Sequence, residues 1–317
     1  MELIQIGRDL YACMQPEGGF GASNSGLVAR DGGLVIDTFW DLPRTRSMKR
    51  LYESVSPDPV RRLVNTHHNG DHTWGNQLFA EVGTEIIGHR RCVEAFTRES
   101  PELLQRLAAA ENLPPGLELL ARALRRFDFS GITLTPPTTV LDEDIELDLG
   151  GSRVQVISVG PAHTAGDVVV YLPDDGVLFT GDVLFNQCTP VGWDGTFAQW
   201  CAALDRLAEL GPEVVVPGHG PTATVADLVE MKAYLDYVLA ESRQHYDAGR
   251  STLDAALRLD ISRWSHWEEP YRLAFHVDRA YREFAGLPWD TSVEVVKVFA
   301  DAGELDIRYR AEAAASS

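Results

Sequence analysis

Basic charge is what this chain has least of for its size. Its 28 lysines and arginines stand against 47 acidic residues, a formal net charge of −19. Phosphate backbones are bound through clustered Lys and Arg. The only basic cluster runs from Arg122 to Arg126 on a predicted helix face, so no nucleic-acid partner is expected. Cysteine is scarce too. Cys13, Cys92, Cys188 and Cys201 show no paired spacing, which excludes a disulfide framework and leaves reduced thiols as the simple reading. No apolar run approaches the roughly 20 residues that span a bilayer, so no membrane partner is expected. The start, Met1 to Gln5, has no basic stretch followed by an apolar core, and a cytoplasmic location follows as the expectation. No G-x-S-x-G elbow occurs, so a serine nucleophile of that kind is absent.

What is present is ordinary globular composition, 44% apolar and 24% charged over 317 residues, enough to bury a substantial core. One stretch organises the chain: Asn65-Thr-His67-His68-Asn69-Gly-Asp71-His72-Thr-Trp74-Gly-Asn76. Three of the nine histidines fall within six residues here, directly after the β-prone run Val60 to Val64. A strand ending in a His/Asp-rich loop delivers several ligands to one point, which a divalent metal requires. Three later fragments each place a His or Asp at a predicted strand end beside glycine: Gly160-Pro-Ala-His163-Thr-Ala-Gly166, Phe179-Thr-Gly-Asp182 and Pro217-Gly-His219-Gly220.

In order and spacing these fragments resemble the metal-binding set of the metallo-β-lactamase-fold superfamily, whose first motif is H-x-H-x-D-H. The resemblance implies an α/β fold, a four-layer αββα sandwich. It implies one metal site from His67, Asn69 and His163, a second from Asp71, His72 and His219, and Asp182 bridging them. This chain departs from the pattern at Asn69, where the family has histidine. An amide oxygen is a neutral, hard donor and a poor replacement for imidazole at zinc. One tightly held Zn2+ on Asp71, His72, Asp182 and His219 is therefore expected, with a second ion weak or absent and iron or manganese as alternatives. His68 could stand in for the missing imidazole only if the loop slipped by one residue, because alternation turns it away from His67 and Asn69.

The chemistry implied is attack of metal-activated water on a small-molecule acyl carbon, in an ester, thioester or lactone. Asp71 is the catalytic carboxylate of this reading, and His67 and His163 could act as acid or base where the first site is empty. The form of the loop looks most like aromatic polyketide cyclases or thioesterases of the superfamily, one alternative. A mononuclear iron oxygenase on the same fold is another, and a non-catalytic binding protein a third. Trp193 is the first candidate for a substrate-facing aromatic, with Phe20, Trp40 and Trp74 behind it. Phe20 rides on Gly18-Gly-Phe-Gly21, readable as a mobile flap or as a solvated turn. The oligomeric state stays open, a homodimer being common among soluble proteins.

Periodicity divides the chain into a core over residues 1–225, a helical insertion over about 101–127, and a helical extension over 226–310 packed on the same domain. Residues 311–317 are expected to be disordered. Within this scheme Val140 to Leu149 reads as one strand and Val293 to Phe299 as a last strand.

Overall fold

The computed structural model describes residues 1–315. Seven strands form one sheet in chain order: β1 (Glu2–Gly7), β2 (Leu10–Met14), β3 (Ser25–Val28), β4 (Leu34–Ile36), β5 (Arg62–Val64), β6 (Glu85–His89) and β7 (Thr139–Leu141). The first four pair antiparallel and the last four parallel. The second sheet contains β8 (Ile145–Leu149), β9 (Ser152–Ser158), β10 (Val168–Leu172), β11 (Val177–Phe185) and β12 (Val214–His219), with only β11 and β12 parallel.

The helices are α1 (Leu42–Val55), α2 (Gly70–Thr73), α3 (Gln77–Ala80), α4 (Arg90–Ala95), α5 (Pro101–Ala109), α6 (Pro115–Leu124), α7 (Phe197–Glu209), α8 (Val225–Asp247), α9 (Thr252–Ala256), α10 (Leu273–Phe284) and α11 (Val295–Ala315). Alternation of side chains along the strands sorts the apolar residues into layers. Leu34, Ile36, Val64 and Ile87 face Val154, Val156, Val168 and Val170 between the sheets. Val35, Leu63 and Ile86 point the other way, under Met48 and Tyr52 of α1 and Phe79 of α3. Val169, Leu178 and Val215 back onto Leu204 and Leu207 of α7 and Leu228 and Met231 of α8. Helix, sheet, sheet and helix thus form the four layers expected.

Three local readings are corrected. Val140 to Leu149 is two strands, β7 and β8, in different sheets. Asp142-Glu-Asp144, three consecutive acids, make the crossing between sheets, and a period-two pattern does not register such a break. The stretch Val293 to Phe299 is not a strand, for α11 starts at Val295. Val298, Phe299, Ala302 and Leu305 are buried while Val295 and Val296 are exposed, a helical stripe whose first turn passes for alternation. The same helix continues to Ala315, so residues 311–315 are helical rather than disordered, and 316 and 317 lie outside the described residues. No described helix is long and apolar enough to cross a membrane.

The topology collects loops at one edge of the sandwich. The loops leaving β4, β5, β9, β11 and β12 meet there, tied across the sheets by Val168 N–H donating to Thr66 O (2.8 Å) and Asn24 N–H donating to Gly218 O (2.7 Å).

Candidate metal centre

All seven side chains expected as ligands lie at this edge. His67, Asn69, Asp71 and His72 come from the loop after β5 and the start of α2, His163 from the β9–β10 loop, Asp182 from within β11 and His219 from the end of β12. Parallel pairing of β11 with β12 sets Asp182 against the Pro217-Gly218-His219 turn. Gly218 is required there, since a Cβ would stand 1.9 Å from Asp182 Oδ1.

The four histidines share one arrangement: each is anchored through Nδ1. A carbonyl or ionised carboxylate only accepts, so the ring nitrogen facing it carries the hydrogen. His163 Nδ1–H donates to Val191 O (2.5 Å), His219 Nδ1–H to Ala22 O (3.1 Å) and His72 Nδ1–H to Asp37 Oδ2 (2.9 Å). His67 Nδ1–H donates to Thr66 Oγ1 (3.0 Å), whose own hydroxyl donates to Asp37 Oδ2 (2.7 Å). Every Nε2 is left to point inward, as metal-ligating imidazoles do when a carboxylate or carbonyl fixes their tautomer.

Those Nε2 atoms converge on Asp182. Its Oδ1 lies 3.1 Å from His72 Nε2, and its Oδ2 lies 3.3 Å from His219, 3.4 Å from His163 and 3.9 Å from His67. Asp71 Oδ2 lies 3.3 Å from His219 Nε2 and 3.8 Å from His72 Nε2. Two groups have the compactness a cation needs: His67, His163 and Asp182, and Asp71, His72 and His219. His67 Nε2 is buried with no hydrogen-bond partner, an expense that a cation at that point removes. The residues therefore fit the divalent ions that the motif implies.

Electrostatics agree. Burial pushes Asp182 up, but His219, His72 and His163 outweigh it and hold its carboxyl well below the usual range. Burial opposes charge on His72 and His219 as well. Asp182 and Asp71 overcome that, holding His72 well above the usual imidazole range and raising His219 to about 9. Without a metal, protons on these two rings stand in for its charge. Burial keeps His67 and His163 below the usual range, hence neutral and able to offer a lone pair.

Asn69 is held from behind by a residue outside every motif. Its Oδ1 faces His163 Nε2 at 2.9 Å, while its Nδ2–H donates to Glu99 Oε1 at 2.6 Å. Glu99 Oε2 accepts from Gly70 N–H at 3.0 Å. Since His163 carries its hydrogen on Nδ1, two lone-pair atoms confront each other across 2.9 Å, an arrangement that calls for a cation. Burial, reinforced by Asp71, raises Glu99 to about 7.

The remaining expectations divide. Trp193, Phe20 and Trp40 border a cavity over the cluster together with Glu99, Phe185 and Arg272. Trp74 does not reach it. At 1% exposure it packs behind, against Trp40 at 6.4 Å and Phe129 at 5.7 Å, and is corrected to a supporting residue. His68 joins neither ligand group, so the loop has not slipped. Burial beside Arg98 lowers His68 to about 3. Asp37, Glu99 and Arg272 escaped the sequence reading. Asp37 alone left a trace, as an acid ending β4, and its φ of +60° is a left-handed conformation that a non-glycine adopts at some expense.

Comparison with known proteins follows the same lines. The family model of the metallo-beta-lactamase superfamily matches residues 18–219. The alpha subunit of 2,4-dinitroanisole O-demethylase from Nocardioides sp. is 26% identical over 190 residues, 59% of this chain and 49% of that one. A linear primary-alkylsulfatase from Pseudomonas sp. is 24% identical over 64% of this chain and 42% of its own. A hydroxyacylglutathione hydrolase from Brucella anthropi is 30% identical over 63% of this chain and 64% of its own. The chain thus spans between 42% and 64% of these relatives' lengths. Among solved structures, a stereoselective inverting sec-alkylsulfatase from Pseudomonas sp. superposes with a TM-score of 0.68 at 17% identity, covering 90% of this chain and 50% of that one. A metallo-beta-lactamase family protein of Thermus thermophilus gives 0.61 at 22% identity, over 88% of this chain and 94% of that one.

Proposed function

The chain belongs to the metallo-beta-lactamase superfamily, and on that premise we propose that it is a metal-dependent hydrolase of a small-molecule ester, thioester or lactone. The single observation that carries the reading is the convergence of four Nδ1-anchored histidines, through Nε2, on one buried aspartate. Two of the relatives above, the alkylsulfatase and the hydroxyacylglutathione hydrolase, bear hydrolase names. The polyketide cyclase reading draws no support from these relatives, and the iron oxygenase reading has no observation of its own.

In this proposal His67, Asn69 and His163 would hold one ion and Asp71, His72 and His219 the other, with Asp182 within reach of both groups. A divalent ion bound there lowers the pKa of water towards about 7 and polarises an acyl oxygen. The chain's own groups do the rest. Asp71, whose side chain is 13% exposed and borders the cavity, is placed to accept a proton from the attacking water. His67 and His163, kept neutral by burial, offer their Nε2 lone pairs as ligands. Trp193 and Trp40, which border the cavity, would limit bulk water, which strengthens charge interactions beneath them. Zinc is the ion proposed.

The test is elemental analysis followed by turnover of p-nitrophenyl esters, a thioester and a lactone by stripped and zinc-restored protein. Hydrolysis should vanish on stripping, return with zinc and be absent from Asp182→Asn. Activity untouched by stripping would refute the proposal, as would bound iron with oxygen consumption.

A further inference from the structure

The cavity over the metal ligands has a volume of about 50 Å³, room for a water or two. Ligand pockets run from about 300 to 1,000 Å³, so this space is too small for a substrate as it stands. Phe20 is one of the residues that border it. Its ring lies 5.8 Å from Trp40 and 6.1 Å from Phe299, and the Arg272 guanidinium carbon sits 5.3 Å from its centroid. An aromatic ring thus lies against a tilted indole, 44° between the planes, with a cation near its face, and the cation contact is an attraction specific to π faces.

The segment bearing Phe20 is glycine-rich and lies flat against Trp40. Gly18, Gly19 and Gly21 all have positive φ, and a Cβ at Gly21 would stand 2.1 Å from the Trp40 ring. Backbone hydrogen bonds of the tip are local, Gly18 N–H to Gln15 O (3.1 Å) and Ala22 N–H to Gly19 O (3.0 Å). Cavities of about 380 and 390 Å³ flank it. The first shares His219 and Arg272 with the metal cavity and the second shares Phe20, so lifting the tip would join them.

Two residues bordering the metal cavity carry buried donors with no partner among the described residues, Trp40 Nε1–H and Arg272 Nε–H. The other faces of Arg272 are engaged, Nη1–H donating to Thr189 O (3.0 Å) and Nη2 paired with Glu269. Buried donors left unpaired await an acceptor.

We propose that Phe20 stands where a ring of the substrate binds, and that the substrate is an aromatic compound bearing an anionic oxygen group. The ring is taken between Trp40 and Arg272, and the oxygen by their free N–H groups. This rests on reading the metal cluster as the active site and goes beyond that reading in naming the substrate class.

The test is calorimetric binding to zinc-loaded protein of benzoate, cyclohexanecarboxylate and benzamide, none requiring hydrolysis. Both carboxylates reach a metal equally well, so the ring alone separates them. Benzoate should bind about 10-fold tighter than either other probe, the size of one good cation–π or charged contact. Phe20→Ala, at a half-buried position, should tighten benzoate by about 10-fold through removal of the competing ring. Trp40→Phe keeps a ring but removes Nε1–H, and should weaken benzoate while keeping its advantage over cyclohexanecarboxylate. Equal binding of the two carboxylates, or an unchanged affinity in Phe20→Ala, would overturn the proposal. A protein that cleaves no ester yet shows the Phe20→Ala gain would refute the hydrolase reading and leave this one standing. Cleavage without ring preference would do the reverse.

Discussion

Glu99→Gln is the perturbation that most directly examines the first metal group. Above about pH 7 the ionised Glu99 carboxylate only accepts, so it holds the NH2 end of Asn69 at 2.6 Å and turns Oδ1 toward His163. A glutamine offers both a donor and an acceptor, and the Asn69 amide is then free to rotate and present N–H groups to the cation. Losing a partner that orients a ligand typically lowers metal affinity about 10- to 100-fold, or about 1.4 to 2.7 kcal/mol. The loss should fall on the group of His67, Asn69 and His163 and leave Asp71, His72 and His219 unaffected. Chelator-competition titration of stripped protein with zinc, read against cobalt(II) absorption, resolves two such affinities. Glu99 also accepts from Gly70 N–H at 3.0 Å, so a purely structural effect on the loop is the rival account. The double variant Asn69→Ala/Glu99→Gln separates them. If Glu99 acts through Asn69, Glu99→Gln changes nothing once Asn69 is alanine. An equal loss in both backgrounds, or a loss shared by both metals, would refute the reasoning.

Other outcomes follow from the same geometry. Asn69→His should raise affinity at the first group by about 10-fold or more, since imidazole suits zinc better than an amide oxygen, and retention of two zinc equivalents after dialysis measures it. Asp37→Asn should weaken the second group by about 10- to 100-fold by loosening His72, which the same titration reads while circular dichroism checks the fold. Folding raises His219 from 6.5 to about 9, so the metal-free protein binds that proton more tightly folded than unfolded. The resulting stability, about 3 kcal/mol, is complete below pH 6.5 and lost as pH rises through about 9. Urea unfolding of stripped protein at pH 6 and pH 9.5 should show that loss, and zinc-loaded protein should not.

Most of the ligands were legible because they sit at or just after the end of a strand; Asp182 instead lies within β11, which runs on to Phe185. A period-two apolar run, a glycine and a His or Asp is a local signal, and pairing of β11 with β12 and of β4 with β5 does the assembling. Trp74 was misjudged because proximity along the chain to His72 says nothing about which side of the loop a ring occupies. The Val293 run failed because one helical turn and one strand turn share a pattern until the following residues are weighed by burial.

What the residues determined by themselves was the kind of chemistry: His67, Asp71, His72, His163, Asp182 and His219, set in or beside strands next to glycine, have few uses other than a divalent cation. Only the fold decided how that cluster is governed. Glu99 reaches Asn69 across 30 residues, Asp37, just after β4, carries His72 of α2, and Arg272 borders the cavity from the C-terminal part of the chain. Such contacts join single, non-periodic residues through loop paths, and nothing in local propensity encodes a loop path.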